Sequence, residues 1–127
     1  MSAYKNIKNS IKAKIRGYIS LEQLKKRGLI VGEHFAVQEG VIIDPDHCWL
    51  IEIGNNVTLA PRVHILAHDA SMKRDLGVAK IGKVTIGNNV FIGAGTIVLP
   101  NVRIADNTII GAGGGSNKIP REWGLCW

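Results

Sequence analysis

From Leu29 onward the aliphatic residues recur every six positions, a period that belongs neither to a helix nor to a simple alternating strand. With the aliphatic that often precedes a glycine or alanine as the reference, the series runs Val31, Val37, Ile43, then Ile53, Leu59, Ile65, then Ile86, Ile92, Val98, Ile104 and Ile110. Eleven hexads fit, in three blocks. Seven are followed by a small residue: Gly32, Gly54, Ala60, Gly87, Gly93, Ala105 and Gly111. Two places before the reference, nine carry a β-branched residue, among them Ile51, Val57, Val84 and Thr108. Residues two apart project the same way from extended backbone, so each hexad offers two side chains to a narrow interior. The small residue lets the chain turn a corner. Asn55-Asn56, Asn88-Asn89 and Asp106-Asn107 fall at one equivalent point, and asparagine tolerates the left-handed conformation that corners demand. Three flat faces and three corners close a triangular coil. Stacked coils make a parallel β-helix, in which each coil is stabilised by its neighbours. A sandwich would place its turns about 8–12 residues apart instead.

Two stretches break the register. The first lies between Ile43 and Ile53 and contains Asp44-Pro45-Asp46-His47-Cys48-Trp49. The second runs from Leu66 to about Lys83 and contains Ala67-His68-Asp69-Ala70-Ser71. Insertions in a repeat protein become loops on one face, where function often sits.

Ahead of the repeats, Ile7, Ile11, Ile15, Tyr18 and Ile19 recur at helical spacing, with Lys5, Lys12 and Arg16 opposite. A second short helix is marked by Ser20 as N-cap, Gln23 three residues on, Leu21 and Leu24 as its apolar side, and Gly28 to end it. The expected organisation is a helical segment over 1–28, the repeats over 29–113 and a tail over 114–127. The fold class is all-β, with only this short N-terminal helical part.

Charge sharpens the division. Residues 1–28 hold eight bases and one acid, whereas residues 29–127 hold eight bases and nine acids. The formal charge of +6 thus belongs to the N-terminal segment. A basic amphipathic helix can rest on an anionic membrane surface; packing on its own fold is the preferred reading, and no nucleic-acid partner is expected. With 46% apolar residues the chain is too hydrophobic to be disordered, and no apolar run approaches the roughly 20 residues that span a bilayer. Lysines interrupt the N-terminus, which argues against a secretory signal. Cys48 and Cys126 have neither metal spacing nor a disulfide framework, so a reduced, cytoplasmic setting is expected.

The hexads, most specifically Ile53-Gly54-Asn55-Asn56-Val57 and the run from Val84 to Gly113, resemble the hexapeptide-repeat acyltransferases. Nearest among these are the O-acetyltransferases of polysaccharide biosynthesis and the maltose and galactoside acetyltransferases. The resemblance implies a left-handed parallel β-helix, a homotrimer, acetyl-CoA held between neighbouring subunits, a saccharide-type acceptor and a histidine base on the extended loop. The matching histidine is His68. An imidazole titrating near neutrality can take the proton of a sugar hydroxyl as it attacks a thioester, and direct attack needs no nucleophilic cysteine or serine. Asp69 is the candidate to orient the imidazole, with a solvated loop charge as the alternative. His64 is read as a surface or subunit-contact residue. Asp46 and His47 are read first as a turn and second as acceptor contacts. Ala94 and Ala112 match positions along the pantetheine arm of the cofactor, and Lys118 retains part of the family pattern. No metal is expected.

After Gly113 the family pattern would continue into a further coil. Here Gly114, Gly115 and Asn117 depart from it, and Trp123, Leu125 and Trp127 have no periodic place. The chain reads as a truncated or frame-shifted member whose tail folds back as a cap on the last coil or packs on a neighbouring subunit, weakening cofactor binding. Two other functions compete with O-acetyl transfer. One is a non-catalytic trimeric scaffold. The other is a metal-dependent carbonic anhydrase of the same solenoid type, which needs three gathered histidines.

Overall fold

The computed structural model describes residues 19–113 and the backbone of residues 125–126. The helix expected from Ile7 to Ile19, apart from Ile19 itself, the cofactor candidate Lys118, and Trp123 and Trp127 lie outside the described residues.

Helix α1 (Leu21–Lys26) begins at Ser20, whose side chain accepts from Gln23 N while the Gln23 side chain accepts from Ser20 N, a complete capping box. It ends in a Schellman turn: Gly28 N donates to Lys25 O and Leu29 N to Leu24 O, both at 3.0 Å. Leu24 and Leu29, which flank that turn, are both buried.

Three short strands then make the first coil, β1 (Ile30–Val31), β2 (Ala36–Val37) and β3 (Ile42–Ile43). The second coil is β4 (Ile51–Ile53), β5 (Val57–Leu59) and β6 (His64–Ile65). A hairpin follows, β7 (His68–Asp69) and β8 (Lys80–Ile81), with the single-turn helix α2 (Lys73–Leu76) between its strands. The third coil is β9 (Val84–Ile86), β10 (Val90–Ile92) and β11 (Ile97–Val98); β12 (Arg103–Ile104) and β13 (Ile109–Ile110) begin a fourth. The strands stack into three parallel faces ordered β1-β4-β9-β12, β2-β5-β10-β13-β14 and β3-β6-β11, where β14 is Leu125–Cys126. This is a parallel β-helix.

The register repeats the hexads residue for residue. Val31, Ile53, Ile86 and Ile104 stack on the first face. Val37, Leu59, Ile92 and Ile110 stack on the second, and Ile43, Ile65 and Val98 on the third. Of these, every residue from Ile43 onward is buried. Each fully buried aliphatic contributes about 1.5–3 kcal/mol. Val37, on the first coil, stays exposed.

The corners explain the rest of the pattern. Asn56, Asn89 and Asn107 adopt φ of 54°, 54° and 56°, and His34 occupies the equivalent corner of the first coil at 55°. Their neighbours form a ladder: Asn55 Oδ1 accepts from Glu33 N, Asn88 Oδ1 from Asn55 N and Asp106 Oδ1 from Asn88 N. The small residue that follows the reference position is required by close approach. A Cβ on Gly54 would sit 2.7 Å from the carbonyl oxygen of Gly87 in the next coil.

Strand β14 pairs in parallel on β13, Leu125 opposite Ile109 and Cys126 opposite Ile110. The backbone of Leu125–Cys126 thus adds one parallel strand beyond the last hexad of the second face. Deleting residues 120–127 should expose the β13 edge and lower stability by about 1–2 kcal/mol through lost ladder bonds. A thermal melt would register this as a drop of several degrees or as aggregation; an unchanged melt would show that the pairing contributes nothing.

Candidate active site

Both insertions leave the solenoid at one corner. The chain passes from the third face to the first between β3 and β4, between β6 and β9, and between β11 and β12. The first two passages carry the insertions and the third carries none. Successive coils stack about 4.8 Å apart, so the two loops lie one above the other.

In the lower loop Asp44 N donates to Ile65 O at 2.8 Å, which keeps Asp44 on the coil. Its Oδ1 accepts from Asp46 N at 3.0 Å and from His47 N at 3.2 Å. This is the turn expected of Asp-Pro-Asp. Residues Cys48–Leu50 then form one 3-10 turn. Helix α1 braces the loop. Arg27 Nη1 donates to Pro45 O at 3.2 Å, and the buried Cys48 Sγ lies 3.5 Å from Leu24 O. Gly28, at φ +108°, passes so close to Trp49 that a Cβ there would fall 2.8 Å from the tryptophan Cβ.

The upper loop starts from Leu66 N donating to Val98 O. Ala67 N then donates to Asp44 Oδ2 at 3.1 Å. Strands β7 and β8 pair antiparallel, His68 opposite Ile81 and Asp69 opposite Lys80. They hold His68 directly over the lower loop.

His68 Nδ1 hydrogen-bonds Asp44 Oδ2. The carboxylate is fully buried, whereas the imidazole keeps 32% of its side-chain exposure. Burial pushes the Asp44 carboxyl up. The hydrogen bonds from His68, Ala67 N and Asp46 N outweigh burial and hold its pKa below the usual carboxylate value. Asp44 is therefore an ionised acceptor. It favours the His68 tautomer with the proton on Nδ1 and the lone pair on Nε2.

Asp69, the expected orienting group, is not that carboxylate. Consecutive residues of a strand project to opposite sides, so the backbone that aims His68 at Asp44 turns Asp69 away. Asp69 is exposed and accepts from Ser71 N at 2.9 Å, a bond that lowers its own pKa.

His47 completes the cluster. Its ring centroid lies 4.7 Å from that of His68 and 5.1 Å from that of Trp49. Its Nδ1 is 3.9 Å from Asp44 Oδ2, is buried, and has no hydrogen-bond partner among the described residues. The loop therefore combines the turn with a second imidazole at the site. His64 remains on β6, between Ile42 and Ile97 on the third face.

Ala94 and Ala112 sit at a different corner, where the second face meets the third. Gly113 N donates to Ala94 O at 2.7 Å, so the two segments stack. Ala94 lines an open groove of about 910 Å³ with Gly40, Pro61, Arg62 and Gly95. The structure thus brings the two alanines to one edge and His68 to another, with the third face between them.

Comparison with known proteins agrees with the repeat fold. Residues 83–114 match the bacterial transferase hexapeptide family, described as six repeats. The chain is 35% identical over 86 residues to the galactoside O-acetyltransferase of Escherichia coli K12, covering 65% of this chain and 41% of the relative. It is 46% identical over 66 residues to the galactoside O-acetyltransferase of Lactococcus lactis, covering 50% of this chain and 32% of the relative. Among solved structures, a maltose O-acetyltransferase from Clostridium difficile 630 superposes with a TM-score of 0.59 at 35% identity, over 72% of this chain and 50% of that one. The chain spans less than half the length of these curated relatives. No described helix is long and apolar enough to cross a membrane. The coils form a left-handed parallel β-helix in which residues 83–114 match the bacterial transferase hexapeptide repeat, and the chain is similar to galactoside and maltose O-acetyltransferases.

Proposed function

We propose that this protein transfers an acetyl group from acetyl-CoA to a hydroxyl of a saccharide-type acceptor, with His68 as general base. The observation that carries the reading is the buried, ionised Asp44 on Nδ1 of a partly solvent-exposed His68. That arrangement leaves Nε2 as the proton acceptor. Nε2 takes the hydroxyl proton as the hydroxyl oxygen attacks the thioester carbonyl. The imidazolium, stabilised by Asp44, then returns the proton to the departing thiol sulfur. Both substrates meet directly, so no acyl-enzyme forms. The similarity to galactoside and maltose O-acetyltransferases supports the saccharide class.

The cofactor arm suits the groove at Ala94, where small residues let an extended chain run against the backbone. His68 stands at a different corner of its own coil, so a site that uses both draws them from adjacent subunits. A homotrimer supplies that arrangement. Apolar residues on the outer faces favour it: Phe91 and Ile109 are exposed on the second face, Ile42 and Ile97 on the third. The first face is more polar, presenting Glu52, Thr85 and Arg103 beside the exposed Ile30. The cytoplasm, which holds acetyl-CoA, is the proposed compartment.

The test is release of free thiol from acetyl-CoA by the purified chain, with and without a panel of galactosides and maltosides, alongside light scattering. Acceptor-dependent thiol release from a trimer is expected. A stable monomer at micromolar concentration that neither binds acetyl-CoA nor releases thiol would overturn the proposal.

A further inference from the structure

We propose that Asp44, His47 and His68 also form a binding site for a divalent transition-metal ion of the zinc type, and that its occupation excludes the base function of His68. One carboxylate oxygen and two imidazole nitrogens lie within 4.8 Å of one another. In a tetrahedral site with metal–ligand bonds of about 2.0–2.1 Å, neighbouring ligand atoms stand about 3.3 Å apart. The Asp44 to His47 distance of 3.9 Å must close slightly, and the hydrogen-bonded Asp44–His68 contact must open. The two imidazole nitrogens, within 4.8 Å of one another, must also draw together; all three adjustments are ring movements.

The donor set selects the ion. Two imidazoles and one carboxylate, with a fourth position open toward solvent, suit zinc, cobalt or nickel. Magnesium and calcium prefer oxygen ligands throughout. The supports are already present. Asp46 N and His47 N hold one Asp44 oxygen, Ala67 N holds the other, and Trp49 flanks the His47 ring. Ligands fixed in this way lose little freedom when they bind.

His47 supplies the observation that the acetyl-transfer chemistry does not use. Its Nδ1 is buried without a hydrogen-bond partner among the described residues. With its proton on Nε2, this nitrogen holds an unused lone pair 3.9 Å from Asp44 Oδ2. Two electron-rich atoms this close to one another define a place for positive charge.

The exclusion follows from tautomers. An ion bound at His68 Nδ1 displaces the proton that Asp44 accepts. The neutral ring then carries that proton on Nε2, which no longer offers a lone pair to an incoming hydroxyl. The metal site itself does not depend on the acetyl-transfer reading, whereas the exclusion does.

Titration of the full chain with Co²⁺, followed by visible absorption, and with Zn²⁺, followed by calorimetry, tests the site. Uptake of one ion per chain with the intense bands of tetrahedral cobalt is expected. His47→Gln and His47→Phe, each checked by thermal melting, should weaken uptake about tenfold or more. His64→Gln, outside the cluster, should leave it unchanged. Zinc should suppress thiol release over the concentrations at which it binds, and a chelator should restore it. Absence of saturable uptake at millimolar metal would overturn the site, as would unaltered uptake in both folded His47 variants. A chain that takes up the ion yet never transfers acetyl would keep the site and refute the acetyl-transfer reading.

Discussion

Replacing His68 by alanine should reduce acetyl transfer by about 10²–10⁴-fold while leaving acetyl-CoA affinity nearly unchanged. The sugar hydroxyl is a poor nucleophile while it keeps its proton. Alanine removes the nitrogen that receives this proton but none of the groove at Ala94, which lies at another corner of the coil. The loss should therefore appear in turnover. The melt should fall modestly, since the fully buried Asp44 loses one partner but keeps Ala67 N, Asp46 N and His47 N, and β7 is held by its pairing with β8. Near-normal turnover in a folded His68→Ala protein would remove His68 as the base.

Asp44→Asn is the second large effect, of about 10²–10⁴-fold in turnover. The substitution keeps shape but removes the charge. If the amide donates to His68 Nδ1, the imidazole must carry its proton on Nε2, the tautomer that cannot act as base. An imidazolium formed during attack would also lack its counter-charge. Asp69→Asn is the contrasting variant. Its carboxylate serves Ser71 N at the loop surface, so its turnover should stay within a few-fold of wild type. Steady-state kinetics on the pair decides between the carboxylate adjacent in sequence and the one adjacent in space. Equal losses in the two variants would refute the assignment of Asp44.

The solenoid was legible because its physics is one-dimensional. Each reference residue from Val31 to Ile110 pairs with the residue one coil away, and these pairs set the register observed. Ser20 and Gln23 were likewise readable, since a capping box is a local interaction. His68 could be singled out by its loop and by resemblance. Its partner could not be found among sequence neighbours, because strand alternation turns Asp69 away while Asp44 stands 24 residues earlier. The necessary signal was nevertheless present. Ile43 and Ile65, which precede the two insertions, are three hexads apart once the first insertion is discounted. That is one full coil, which places both loops at the same corner. The role of α1 in bracing Pro45 and Trp49 was not readable, since it depends on a helix packing across a loop without any period.

That shared corner has a bearing on how such a chain can be lengthened or shortened over evolution. Coils are interchangeable slabs, each about 4.8 Å thick. A slab duplicated after Val98 would extend the tower without moving His68 relative to Asp44. The same slab inserted between Ile43 and His68 would part the two by one extra storey, beyond hydrogen-bond reach. Gains and losses of whole coils are thus tolerated above the paired loops and forbidden between them, although the coils themselves are nearly alike.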